Sequence, residues 1–247
     1  MKRVTFVLST VAGATVLMLA GCATYRLDQS RKLAAASEPF SVAPAIADRR
    51  LLIAGDSTGV GTGASSPQIS VAGQLAALQP RLAITNLSAD GARFADVLRQ
   101  LESIPGGRYD IVLIMAGGND VIRLTLAGEL RKSIEAVAER ALSVAPTVIF
   151  LPAGNVGNAP FFFPPWSWWM SARARELHGF VLAAATRTGA TYVNLYKSAS
   201  KDPFAQQPTL LHASDGLHPS DAGYALWVEA LLAQSPLGTG TRAAGRL

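Results

Sequence analysis

Ser57 stands in the run Gly55-Asp56-Ser57-Thr58-Gly59-Val60-Gly61-Thr62-Gly63, just past the apolar stretch Leu51-Leu52-Ile53-Ala54. A serine set among glycines after a buried strand can sit on a tight turn with its hydroxyl presented outward, because glycine permits the backbone geometry and the close approach of a substrate. A neutral hydroxyl is a poor nucleophile and needs a base beside it. The chain offers one far downstream, in Asp215-Gly216-Leu217-His218-Pro219. A spacing of three puts both side chains on one side of a turn, so one short loop can carry a base, His218, and a carboxylate that orients it, Asp215. Taken alone, the serine loop equally fits a strand-to-helix turn that binds phosphate on its amides. It lacks the lysine of a P-loop, and its glycine spacing is not the dinucleotide fingerprint.

These residues need a scaffold. Short continuous apolar runs recur at Leu51–Ala54, Leu82–Leu87, Ile111–Ala116, Thr147–Leu151 and Thr191–Leu195. Such runs fit strands buried on both faces of a parallel sheet. Helical patterns alternate with them, at about Val71–Leu78, Phe94–Leu101, Leu124–Val144, Ser171–Thr188 and Asp221–Ala233. Alternation of this kind predicts an α/β chain, a three-layer α/β/α sandwich on a five-stranded parallel sheet. Ligand sites in such sheets lie outside the carboxyl ends of the strands. The polar motifs fall there: Asn86-Leu87-Ser88-Ala89-Asp90-Gly91 after the second run, and Gly117-Gly118-Asn119-Asp120 after the third.

Four blocks in order, Gly55-Asp56-Ser57, Gly91, Gly117-x-Asn119-Asp120 and Asp215-x-x-His218, resemble the signature of the SGNH/GDSL hydrolases, over about residues 49–235. The resemblance implies a flavodoxin-like fold and a serine esterase with Ser57, Asp215 and His218 as its catalytic residues. It implies an oxyanion hole made by the Ser57 and Gly91 backbone amides and the Asn119 side-chain amide. No cofactor is implied, and no metal-ligand cluster is visible in the sequence. Thr58 departs from the leucine that often follows the serine in this family. Asp56 and Asp120 are expected to hold loops or cap helices. His178 is expected as a surface or packing residue, and His212 as a bystander near the Asp215 loop.

Gly55-Asp56-Ser57-Thr58-Gly59 also satisfies the G-x-S-x-G elbow of α/β-hydrolases, whose triad order is the same. Three features count against that reading. Ser57 follows the first strand of the domain, the Asp and His are only three apart, and the Asn119 block has no role there.

The N-terminus carries a different message. Met1-Lys2-Arg3 precedes an apolar run from Val4 to Ala20, then Leu19-Ala20-Gly21-Cys22. This fits a secretory signal peptide, and its end resembles the bacterial lipobox, in which Cys22 is lipidated and becomes the new N-terminus. Several acyl chains anchor firmly where one does not. The alternative is an uncleaved transmembrane anchor, for which the run is near the lower length limit. Ala23 after the cysteine, by resemblance to Gram-negative lipoproteins, implies the outer membrane facing the periplasm. The expected organisation is residues 1–21 signal peptide, 22–46 tether with room for a short helix near Leu33–Ala36, 47–236 hydrolase domain and 237–247 flexible tail.

Composition bounds what the domain does. The chain has 247 residues, 49% hydrophobic and 16% charged, which suits a packed core and argues against disorder. The formal charge of +5 includes Lys2 and Arg3 of the signal segment, and no basic stripe with interleaved aromatics supports nucleic-acid binding. One cysteine rules out an internal disulfide. Three of the four tryptophans lie in Phe161-Phe162-Phe163-Pro164-Pro165-Trp166-Ser167-Trp168-Trp169-Met170, where the prolines forbid a regular helix through the middle. Phe163, Trp166, Trp168 and Trp169 either line a substrate or membrane-facing loop or fill a gap between helices. The reading overall is a lipid-anchored envelope esterase acting on acyl or acetyl esters, with a small-molecule, lipid or glycan ester as substrate and no protein partner predicted. An acyltransferase, or a non-catalytic binding lipoprotein that keeps the fold, are the alternatives.

Overall fold

Strands rich in Leu, Ile and Val with no polar alternation must be covered on both faces. In the computed structural model, which describes residues 21, 24–104 and 109–238, they are. Strands β1 (Arg49–Gly55), β2 (Leu82–Asn86), β3 (Ile111–Met115), β4 (Thr147–Phe150) and β5 (Thr191–Tyr192) form one parallel sheet in the order β2-β1-β3-β4-β5. The register sets Leu51 beside Ile84 and Ile111, and Gly55 beside Met115. The interior of β1 and all of β3 are buried.

The helices are α1 (residues 24–36), α2 (Ser57–Val60), α3 (Val71–Leu78), α4 (Phe94–Glu102), α5 (Gly118–Ile122), α6 (Ala127–Val144), α7 (Trp166–Thr188), α8 (Pro203–Gln206), α9 (Pro208–Leu211) and α10 (Asp221–Gln234). Helices α3 and α10 pack together on one face, while α4, α6 and α7 pack in a row on the other. This is the three-layer α/β/α sandwich that the alternating runs predict. Because β2 lies on one side of β1 and β3 on the other, the strand order reverses at β1, and a crevice opens at its carboxyl end.

Several elements differ from expectation. The fifth strand is two residues, not five, because β4 ends at Phe150 before Pro152; the pairing closes with Val193 N–H on Phe150 C=O at 2.9 Å. The helix expected over Leu124–Val144 starts only at Ala127, since Leu124 takes a left-handed φ of 56° and separates it from α5. Helix α7 starts at Trp166, immediately after the prolines, so half of the aromatic segment is helical.

The largest difference lies ahead of the sheet. Residues 24–46, expected as tether, form α1 and then an extended stretch whose Val42 bridges Ile84 of β2. Helix α1 is built from good helix formers, with an Asp28–Lys32 pair at 2.6 Å along its exposed side. The side it turns to the domain is Arg26, Gln29, Ser30, Leu33 and Ala34, a helical stripe with one large apolar residue. Polar docking of this kind leaves no hydrophobic period to read. At the other end, Leu237 is fully buried and its C=O accepts from Gln79 Nε2 at 3.0 Å, so the fold extends through the start of the expected tail. The signal segment and Cys22 lie outside the described residues, as does the tail beyond Gly238. Among the described residues no helix is long and apolar enough to cross a membrane.

Candidate active site

Strand β1 delivers Ser57 to the crevice. Gly55 must be glycine because a Cβ there would lie 2.1 Å from the Met115 carbonyl oxygen of β3. Asp56 then caps α2, accepting from Thr58 N–H at 2.9 Å and from the Thr58 hydroxyl at 2.7 Å. Thr58, the departure from the usual leucine, thus braces the capping carboxylate. Burial pushes the Asp56 carboxyl up to about 6, against the hydrogen bonds from Thr58. Ser57 is the first residue of the one-turn helix, with its hydroxyl aimed into the crevice.

The Asp215 loop brings its two side chains to that hydroxyl. Gly216 takes a φ of +69°, and the turn lets Asp215 Oδ1 accept from the Leu217 and His218 amides at 2.9 and 3.1 Å. Asp215 Oδ2 faces His218 Nδ1 at 2.6 Å, and His218 Nε2 faces Ser57 Oγ at 2.9 Å. The carboxylate can only accept, so Nδ1 carries the proton and Nε2 is free to accept from the serine hydroxyl. Burial alone would raise the fully buried Asp215. The hydrogen bond and charge of His218, the Leu217 amide and a bond from Ser30 outweigh it and hold the group at about 2. Ser30 belongs to α1 and donates to Asp215 Oδ2 at 2.7 Å.

Two further strand ends complete the site. After β2, Asn86 Nδ2 donates to Gly59 C=O at 2.8 Å, tying this block to the serine turn. Gly91 takes a φ of +77°, which a side chain would strain. After β3, Gly117 at φ +114° starts α5 and turns Asn119 toward the same place. Asn119 Nδ2 donates one hydrogen to Ala92 C=O at 3.2 Å, leaving its second for the crevice. The backbone N–H groups of Ser57 and Gly91 have no protein acceptor among the described residues. Asp120 stays buried behind them, accepting from Phe94 N–H at 3.0 Å at the start of α4.

Ser57, Gly91, Asn119 and His218 all line one cavity of about 680 Å³, and Asp215 supports it from behind. The four tentative substrate residues do not join them. Phe163, Trp166, Trp168 and Trp169 are outside the cavity wall. Phe161 lines it instead, held by its N–H on Gly216 C=O at 2.9 Å. The reason is the early start of α7. Met170, Ala174 and Leu177 form its buried side, which leaves the tryptophans of the first turn facing outward. His178 is a packing residue: its Nε2–H donates to Ala153 C=O at 2.8 Å, its Nδ1 accepts from the Tyr192 hydroxyl at 2.6 Å, and burial lowers it to about 4. His212 lines the cavity but donates from Nδ1 to Pro208 C=O at 3.1 Å. Leu27, Ser30 and Arg31 of α1 also line the cavity and carry no signal in the sequence that would have placed them there.

Preorganised donors beside a serine–histidine–carboxylate line are the means of stabilising a developing oxyanion during acyl transfer. Residues 53–226 match the GDSL-like Lipase/Acylhydrolase family, well over half of the chain. The chain belongs to this family. Membership makes it a serine ester hydrolase. The first-strand position of Ser57 and the sheet order exclude the α/β-hydrolase elbow as the source of the motif. Solved structures agree in fold. A member of the lipolytic protein G-D-S-L family from Veillonella parvula is 18% identical, with a TM-score of 0.61, covering 74% of this chain and 96% of its own. A catalytic mutant of an acetylxylan esterase from Geobacillus stearothermophilus is 20% identical with a TM-score of 0.58, covering 78% and 96%. The psychrotrophic esterase EstA from Pseudoalteromonas, in a structure inhibited by monoethylphosphonate, is 18% identical with a TM-score of 0.56, covering 76% and 96%. No curated protein is significantly similar to the chain in sequence.

Proposed function

We propose that this GDSL-family hydrolase cleaves acyl or acetyl esters through an acyl-enzyme on Ser57, and that it works in the cell envelope, anchored through lipid on Cys22 to the outer membrane and facing the periplasm. The observation that carries the chemistry is the line Ser57 Oγ, His218 Nε2, His218 Nδ1, Asp215 Oδ2, with steps of 2.9 and 2.6 Å. His218 takes the Ser57 proton as the oxygen bonds to the ester carbonyl carbon. Asp215 stabilises the imidazolium that forms. The negative oxygen of the tetrahedral intermediate is met by the Ser57 and Gly91 amides and the second Asn119 N–H. Collapse breaks the bond to the leaving alcohol, whose oxygen takes the proton from His218. Water repeats the sequence in reverse, giving up a proton to His218 and freeing the acid and Ser57.

The anchor is supported by sequence, through the lipobox resemblance at Leu19–Cys22. Fluorophosphonate labelling tests the nucleophile, and a stopped-flow burst of p-nitrophenol tests the covalent intermediate. Wild type takes up label at Ser57 and Ser57→Ala does not. Ester turnover that survives Ser57→Ala would remove the assignment. Mass spectrometry of the protein from membranes reads acylation at Cys22 independently.

A further inference from the structure

Phe163, Trp166, Trp168 and Trp169 are 41, 56, 70 and 44% exposed, whereas the remaining tryptophan, Trp227, is 6% exposed. Large aromatic rings left this exposed within seven residues mark a candidate site of interaction. Trp166 and Trp169, one helical turn apart at the start of α7, have their ring centroids at 5.1 Å. Phe163 lies three residues before Trp166 and carries the guanidinium of Arg26 at 4.9 Å from its centroid. Arg26 also donates to the Pro160 carbonyl, so the beginning of α1 is fastened to the aromatic face. Cys22 stands four residues earlier in the sequence. The next residue of α1, Leu27, lines the catalytic cavity and is itself 49% exposed. The aromatic face and the cavity therefore meet at the start of α1, and in sequence the proposed lipid attachment point lies just ahead of that start.

We propose that this face is a membrane-docking surface, and that it seats the cavity mouth on the bilayer leaflet holding the anchor, from which the enzyme draws acyl-chain esters. The inference rests on the reading of the protein as a lipid-anchored esterase. Tryptophan and phenylalanine suit the boundary between headgroups and acyl chains, having apolar bodies that lie at the interface. Arg26 fits the same boundary, its guanidinium held between the Phe163 ring and the Pro160 carbonyl. Arg31 and Arg123, both exposed and both at the cavity, add positive charge toward an anionic phospholipid surface. A protein partner would satisfy the rings equally, but an acylated cysteine four residues before Arg26 would tether the start of α1, and the aromatic face fastened to it, to a bilayer.

The test uses full-length protein in phosphatidylethanolamine–phosphatidylglycerol vesicles whose acyl chains are brominated. Trp166 and Trp169, two of the four tryptophans, lie on the proposed face, so docking quenches a substantial part of the intrinsic fluorescence. An anchored protein with unquenched tryptophans would overturn the proposal. A Phe163→Ala/Trp166→Ala/Trp169→Ala variant is expected to lose about tenfold or more of its turnover of a vesicle-embedded long-chain ester, the least that burying one ring is worth, with p-nitrophenyl acetate turnover little changed. Equal loss on both substrates in a variant that still melts cooperatively assigns the rings to the fold and overturns the proposal. If the variant does not fold, quenching in wild type still decides. Wild type that turns over no ester removes the esterase reading, and unacylated Cys22 removes the anchor; in either case quenching by vesicles tests docking by itself.

Discussion

Asn119 commits one amide hydrogen to Ala92 C=O and keeps the other for the crevice. That division makes it the side chain whose removal separates binding from chemistry. The ester carbonyl in the ground state gains little from a donor placed for the oxyanion, so Asn119→Ala is expected to lower kcat by about 10²–10³ with a small change in KM. Steady-state kinetics with p-nitrophenyl acetate reads the split. A KM effect alone would mean that the amide serves binding rather than the intermediate. A loss beyond this range, accompanied by a lower melting temperature, would mean that the Ala92 bond positions the loop.

At the scale of elements, α1 is the addition to the hydrolase sandwich. Its Ser30 supplies one of the four hydrogen bonds that Asp215 accepts. Ser30→Ala removes a donor to an ionised, fully buried carboxylate. Stability should fall by about 1–3 kcal/mol by urea denaturation, and the Asp215 carboxyl should move up from about 2. An unchanged denaturation midpoint would show that the helix lies on the domain without holding it. Nothing in the sequence announces this contact, because the docking stripe of α1 is mostly polar. The sheet, by contrast, was legible from five apolar runs, and its strands begin within two residues of the expected places. The expectation for Ser57, Asp215 and His218 comes from a serine turn after the first strand and a carboxylate three residues before a histidine, joined by the four-block resemblance, whereas that for Gly91 and Asn119 comes from the resemblance alone. The aromatic segment misled for a local reason. No helix runs through the two prolines, as expected, but one starts directly after them, at Trp166 rather than at Ser171, and turns Trp166 and Trp169 away from the cavity.

At the scale of the whole molecule, the response to acid comes from buried groups that sit on different elements and oppose one another. His178 is lowered from 6.5 to about 4 by burial. Between those values the unfolded chain binds a proton that the folded chain refuses, so its contribution is complete above pH 6.5 and is lost as the pH falls toward 4. Asp56 is raised from 3.8 to about 6 by burial. The folded chain keeps a proton there that the unfolded chain has released, so its contribution is complete below pH 3.8 and is lost as the pH rises toward 6. The two slopes have opposite sign across the same window and largely cancel in the wild type. His178→Gln keeps an N–H for the Ala153 carbonyl and removes the titration, leaving the Asp56 slope uncovered. Between pH 4 and 7 the stability of the wild type should therefore gain on that of the variant by about 3 kcal/mol. Urea denaturation of both proteins across that range measures the difference whatever the variant costs at neutral pH. Parallel profiles would mean that His178 titrates alike in the folded and unfolded chains, and that the Ala153 and Tyr192 contacts do not hold it neutral.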